Sequence, residues 1–302
     1  YLLKESDLHK LYIDVVPAIV SLLNTLALFF YFQRQEDRAG GVLNQVMAFA
    51  HNIGPTFVLL LLIGLFQLRT LNKSQKHILI YSIFSSGFLT LLTITRGVWI
   101  GVIISIFIGT FLWNRKVFLA TVVSFIFVLS AAVAISPEIR DRLTQNPLEA
   151  AGSNYIRRAL IKANWDIALE NPFFGVGLEN NKKLLPEKYK KMGYSSDLII
   201  SHAHNQYLEF FANTGVLGLF CYLFFIFRVI STALITFYSS QLPQLKQKAL
   251  AFSAAILCFA VGGLTECNFN VSKNRYFFLI LMASAVALYY QNKEISLKNQ
   301  QK

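Results

Sequence analysis

Charge is scarce in this chain. Only 15% of its 302 residues are Asp, Glu, Lys or Arg, against roughly a quarter in soluble proteins, which excludes an ordinary soluble globule. Disorder is excluded as well, because 55% of the residues are hydrophobic and 14% aromatic, the reverse of a disordered composition. Cysteine is nearly absent. Cys221 and Cys258 fall inside apolar runs and Cys267 just beyond one, with no Cys-x-x-Cys pair and no His/Cys cluster at metal spacing. Neither a disulfide framework nor a structural zinc site is therefore indicated. Also missing is a basic stretch followed by a short apolar run and a cleavage site, so no signal peptide is read. The chain opens at Tyr1 without methionine, and its true N-terminus is expected upstream.

What the sequence does have is long apolar runs and a mean hydropathy of +0.49. A helix crossing a bilayer needs roughly 17 to 25 apolar residues. Runs near that length lie at 11–32, 42–68, 78–95, 98–113, 117–135, 215–238, 249–264 and 276–290. The expected fold is all-α: a polytopic membrane protein of about eight spans, five in 1–135 and three in 215–290, with a tail at 291–302. Asp14, Asn44, Gln45, His51 and Asn52 lie in these runs and must face protein or water.

The net charge of +12 raises the question of nucleic acid, and the location of the charges answers it. With the N-terminal segment placed in the cytoplasm, that side collects twelve cations, among them Arg69, Lys73, Lys76, Arg115, Lys116, Lys246 and Lys248, against Glu5, Asp7 and Glu294. The opposite short segments hold Arg34, Arg38, Arg96, Lys273 and Arg275 with Glu36, Asp37 and Glu266. This bias is the positive-inside rule, so the basicity follows topology and no nucleic acid partner is expected.

The long segment 136–214 is then an outer loop, carrying Pro137, Pro147, Pro172 and Pro186. Within it Asn154 to Glu170 reads as an amphipathic helix, with Ile156, Leu160, Ile161 and Trp165 as expected buried contacts, ending at the turn Asn171-Pro172-Phe173-Phe174-Gly175-Val176-Gly177. Loops of this length are usually functional or disordered, and the helix and aromatics favour function.

Two sets of residues could carry chemistry. His202 and His204 stand at the end of the loop, just before a membrane helix, where an imidazole of near-neutral pKa suits general-base work on a substrate anchored in lipid. The alternative is that both are merely interfacial. Metal binding is disfavoured because no acidic or Cys partner stands at familiar spacing. Outer arginines form the second set: Arg38 in Arg38-Ala39-Gly40-Gly41, Arg96 in Thr95-Arg96-Gly97 between two spans, and Arg157 with Arg158 on the loop helix. Planar guanidinium forks bind phosphate oxygens bidentately, which an anionic pyrophosphate would need; each alone could equally be a lipid-phosphate contact or a salt bridge.

Together these motifs resemble the O-antigen ligase family, including Wzy-like polymerases, from about Arg38 to Phe227. The closest match is His204-Asn205, nine residues, then Gly215 and Gly218. The resemblance implies a metal-independent, inverting glycosyltransferase without cofactors, in the bacterial inner membrane with its site facing the periplasm. Its donor would be an undecaprenyl-pyrophosphate-linked glycan, and its acceptor a sugar hydroxyl of the lipid A core in lipopolysaccharide biosynthesis. It further implies His204 as general base, Arg38 and Arg157 on the donor pyrophosphate with Arg96 at a matching family position beside them, and Asn205, Gly215 and Gly218 as supporting residues. A polymerase of O-antigen or exopolysaccharide, or a protein O-oligosaccharyltransferase, remains open as an alternative acceptor choice. A lipid-linked sugar transporter is more remote, because such proteins place charges near the midplane, whereas here the only acidic residue well within a span is Asp14 and the charges cluster at one face. Family members commonly have more spans than the eight read here, which implies that a few helices precede Tyr1.

Overall fold

In the computed structural model the described residues are 10–35, 37–137, 140–141, 153–195, 198 and 200–300. The charges Lys4, Glu5, Asp7, Glu36 and Lys302, and Pro147, lie outside them. The described residues form helices and no strands, as the composition requires of a chain whose backbone must satisfy itself in lipid.

A π-helical turn, Leu11–Val15, leads into α1 (Val16–Arg34); α2 (Val46–Gln67), α3 (Lys73–Leu92), α4 (Arg96–Trp113) and α5 (Arg115–Ile135) follow. Outside this set come α6 (Ser153–Glu170) and α7 (Asn181–Lys191), and the chain returns through α8 (Gln206–Ser239), α9 (Pro243–Gly262) and α10 (Ser272–Gln300). Among the described residues, six segments are long and apolar enough to cross a membrane: Leu11–Arg34, Val46–Thr70, Arg96–Trp113, Arg115–Ile135, Gln206–Ser239 and Pro243–Gly262. The other two expected spans fall on α3 and α10, which are more polar.

The polarity of α3 has an internal use. Asn24 on α1 donates to Ser85 Oγ at 2.9 Å and Ser86 Oγ at 2.8 Å, and Ser21 meets Ser82 at 2.8 Å, a seam that satisfies polar groups between helices. Asn72 opens α3 with a reciprocal cap, its side chain accepting from Gln75 N–H while Gln75 accepts from Asn72 N–H.

The central helix is α9, packed against α2, α4, α8 and α10. Small residues allow the approach: a Cβ on Gly101 of α4 would meet the Cys258 carbonyl oxygen of α9 at 2.7 Å, and one on Gly54 of α2 would meet Val98 at 2.4 Å. The opposite faces carry exposed Phe84, Leu119, Phe127 and Phe220, the surface expected of lipid-facing helices.

Over the end of this bundle that carries the site, α6 and α7 form a separate small core with Leu160, Ala163, Ile167, Leu185, Tyr189 and Ala212. Asn181 Nδ2 donates to Asn164 Oδ1 inside it at 2.7 Å. Two expected contacts of α6 are corrected here. Leu160 is buried and Ile156 partly so, but Ile161 and Trp165 are 41% and 51% exposed. The buried stripe runs Leu160, Ala163, Asn164, Ile167, Ala168 at helical spacing, which leaves Ile161 about a quarter turn off it.

The boundary expected at Gly215 is a kink rather than a helix start. Helix α8 begins at Gln206 and bends at Gly215, whose φ of 68° and ψ of −171° suit glycine alone. The bend diverts helical hydrogen bonds, and the Asn171 to Gly177 turn takes them up. Val216 N–H donates to Pro172 O at 2.7 Å, Ala212 O accepts from Val176 N–H at 3.0 Å, and Asn213 O accepts from Gly177 N–H at 2.9 Å. Two motifs far apart in sequence thus form one backbone joint.

Candidate functional site

The His202-Ala203-His204 segment enters α8 under close control. Asn205 is the N-cap: its Oδ1 accepts from Tyr207 N–H and Leu208 N–H, both at 3.0 Å. His204 itself sits at φ 50°, in the left-handed region. Between the histidines, Ala203 N–H donates to Glu209 Oε2 at 2.8 Å, so a buried carboxylate one turn into α8 holds the segment. Gln206 joins it to the loop between α9 and α10: Gln206 N–H donates to Gly263 O at 2.7 Å, and Phe269 N–H to Gln206 Oε1 at 2.8 Å.

That loop carries the residue the sequence reading did not single out. Glu266, 5% exposed, meets His202 Nε2 closely and lies 3.1 Å from His204 Nδ1 through each carboxylate oxygen. Cys267 N–H also donates to it at 3.1 Å, and Arg157 Nη2 stands 3.8 Å away. Burial alone would raise the Glu266 pKa. The hydrogen bonds from His202 and His204, with their charges, outweigh burial and hold it well below the usual carboxylate value. An ionised carboxylate only accepts, so in the neutral imidazole the proton in this contact belongs to His204 Nδ1 and the lone pair to Nε2.

Glu266 also lines a cavity of about 530 Å³ together with Arg38, Arg96 and Arg157. The structure therefore brings together three of the four arginines singled out from sequence, leaving Arg158 out of the cavity lining, and joins the three to His204 through Glu266. Arg38 has a second attachment. Its Nε donates to Thr93 O at 2.8 Å and its Nη2 to Thr95 Oγ1 at 2.9 Å and Ile94 O at 3.4 Å. This turn holds Ile94 at φ 49°, strained for a β-branched residue, and leads directly to Arg96 at the start of α4. Next to it, a Cβ on Gly97 would lie 1.7 Å from Thr265 Oγ1, so glycine lets the loop bearing Glu266 rest on the α4 N-terminus.

The remaining motif residues have structural explanations. A Cβ on Gly215 would fall 2.2 Å from the Phe173 carbonyl, and one on Gly218 would fall 2.0 Å from Thr214 Oγ1. Of the loop aromatics, Phe173 and Phe174 are exposed, whereas Tyr207 is drawn into the bundle, where its hydroxyl donates to Ala260 O at 2.6 Å.

No acidic partner stands at familiar sequence spacing from the histidines, yet the fold brings one to them. The ligating atoms of His202, His204 and Glu266 all lie within 4.8 Å of one another, a grouping able to hold a metal. Glu266 is 62 positions from His204, so no local spacing reveals it.

A multi-helix membrane protein with an arginine-lined cavity beside a histidine–carboxylate pair is a class suited to anionic, lipid-borne substrates. Residues 80–223 match the sequence model of the family described as O-antigen ligase, which supports membership of that family. The match supports a ligase- or polymerase-type function in O-antigen biosynthesis. The matched segment contains Arg96, Arg157 and His204; Arg38 and Glu266 lie beyond it. No curated protein matches the chain.

Proposed function

We propose that this protein transfers a glycan from undecaprenyl pyrophosphate to a sugar hydroxyl of the lipid A core, as a metal-independent, inverting glycosyltransferase of lipopolysaccharide biosynthesis. It would act in the bacterial inner membrane with its cavity open to the periplasm. The observation that carries this reading is His204, held through Nδ1 by Glu266 beside a cavity lined by Arg38, Arg96 and Arg157.

The chemistry needs two things. Negative charge grows on the pyrophosphate as its bond to the anomeric carbon breaks, and the attacking hydroxyl must lose a proton. Arginine forks supply the first, stabilising charge where it develops. His204 Nε2 supplies the second: its lone pair takes the hydroxyl proton while Glu266 stabilises the imidazolium. Attack opposite the leaving group inverts the anomeric centre. Arg157 has a double place here, as a cavity wall and as a neighbour of Glu266.

The test is direct. The protein in detergent or membranes is mixed with undecaprenyl-pyrophosphate-linked glycan and, in separate reactions, with lipid A core, with a second lipid-linked glycan, and with a periplasmic protein. Transfer to the lipid A core, lost in His204→Ala, is expected. Transfer only between lipid-linked glycans would make it a polymerase, and transfer only to protein an oligosaccharyltransferase. No transfer in any reaction would overturn the proposal.

A further inference from the structure

We propose that His202, His204 and Glu266 form a binding site for a first-row divalent cation of the zinc class, and that occupancy of this site switches transfer off. The switching step rests on the proposed role of His204; the site itself does not.

The donor set is the first argument. Two imidazoles and one carboxylate match a zinc-type set of three protein ligands, with a fourth position left to water or substrate. Such nitrogen and oxygen donors favour the later first-row metals over magnesium or calcium. The atoms are already close to the required geometry. Metal bonds of about 2.0 to 2.2 Å place tetrahedral ligand atoms roughly 3.3 to 3.6 Å apart. Here His204 Nδ1 is 3.1 Å from both Glu266 oxygens and all three donors lie within 4.8 Å. Small side-chain shifts therefore suffice.

Surrounding contacts are those of a built site. A metal ligand keeps its orientation through hydrogen bonds made by its other atoms. Ser201 Oγ lies 3.3 Å from His202 Nδ1, leaving His202 Nε2 for the centre, and Cys267 N–H holds Glu266 Oε1 at 3.1 Å. Ala203, between the two histidines, is fixed by Glu209. Arg157, 3.8 Å from Glu266, opposes a cation and makes this a regulatory rather than a permanent site.

The effect on His204 follows from proton bookkeeping. Without metal, Nδ1 carries the proton that Glu266 accepts, and Nε2 holds the lone pair. A cation on Nδ1 displaces that proton, and neutral imidazole then carries its one proton on Nε2. No lone pair remains there to take a proton from a hydroxyl. Binding thus removes the base without moving the ring far.

The experiment titrates the purified protein with Co2+, whose visible ligand-field absorption reports nitrogen and oxygen coordination, and then with Zn2+ as competitor. One equivalent of Co2+ absorption, displaced by Zn2+ and lost in His202→Gln and in Glu266→Gln, is expected. Absence of the band, or its persistence in both variants, would overturn the site whatever the protein transfers. In parallel, Zn2+ should lower glycan transfer at least tenfold, reversed by chelator, while the transfer remaining in His202→Gln should not respond. Binding without inhibition would overturn the switch and leave the site; stimulation by Zn2+ would overturn both the switch and the metal-independent mechanism.

Discussion

At the residue scale, the function proposed for His204 depends on its neighbour as much as on itself. Removing a general base typically costs about 10²- to 10⁴-fold in rate, so His204→Ala should reduce transfer by that order while the protein still inserts. Glu266→Gln should come close to it, because an amide can donate to Nδ1 and place the proton on Nε2; Glu266→Asp should recover part of the loss. A Glu266→Gln enzyme with near-normal kcat would refute the positioning role. The same carboxylate contributes to stability with a definite sign. Its pKa is lowered in the fold from an ordinary value of 4.5, so its contribution is present above that value and is lost as pH falls through the lowered one. The Tm difference between wild type and Glu266→Gln should therefore shrink on acidification below the ordinary carboxylate range. Arg38 makes a comparable prediction. Its Nε and Nη2 both donate into the strained turn before Arg96, so lysine, with a single nitrogen, should restore little of the activity lost in Arg38→Ala. Full activity in Arg38→Lys would show that charge alone suffices. The histidine and the arginines were legible in the sequence because each sits in a local motif. Glu266 was counted there only as one outer-side charge, because what gives it meaning is a contact with a segment 62 residues away.

At the scale of elements, apolar runs located the membrane helices well, since length and hydropathy are local properties. Polar contacts and bends were less visible. Helix α7 has strongly polar composition and Pro186 inside it, so no apolar run announces it, and it is held by a core shared with α6. The exposed Ile161 and Trp165 show the same limit: an amphipathic pattern defines a face only to within a neighbouring position. The kink in α8 was hidden for a different reason, because its diverted hydrogen bonds are taken up by the Asn171 to Gly177 turn. That joint is testable. In Gly215→Ala the added methyl would meet the Phe173 carbonyl at 2.2 Å at a φ of 68°. Strain in such a backbone region is on the order of 1 to 3 kcal/mol before any collision. Lower Tm and reduced transfer are expected together, whereas Gly193→Ala, with φ 75° and open space around it, should show the backbone penalty without loss of transfer. Equal transfer in the two variants would mean that the joint does not position the His204 segment.

At the scale of the whole molecule, the site gathers residues from both ends of the chain: Arg38 before α2, Arg96 at the start of α4, Arg157 on α6, His204 before α8 and Glu266 after α9. These positions can meet only if the α1–α2, α3–α4, α7–α8 and α9–α10 connections and the α6–α7 layer lie at one end of the bundle. The opposite end then holds the connections bearing Arg69, Lys73, Arg115, Lys116 and Lys246. On the proposed topology, for which the positive-inside rule argues, that second end faces the cytoplasm and the cavity the periplasm. Labelling of introduced cysteines can test the assignment, provided the probe sites are accessible. Lys188 is a poor choice because it is buried and paired with Glu170. Lys191, on the same helix, is 63% exposed. In a background with Cys221, Cys258 and Cys267 replaced, Lys191→Cys should react with a membrane-impermeant maleimide that reaches only the periplasm. Lys116→Cys should react only after the inner membrane is opened. The reverse pattern would turn the protein over and place its arginine cavity on the cytoplasmic face, where a periplasmic glycan transfer could not occur.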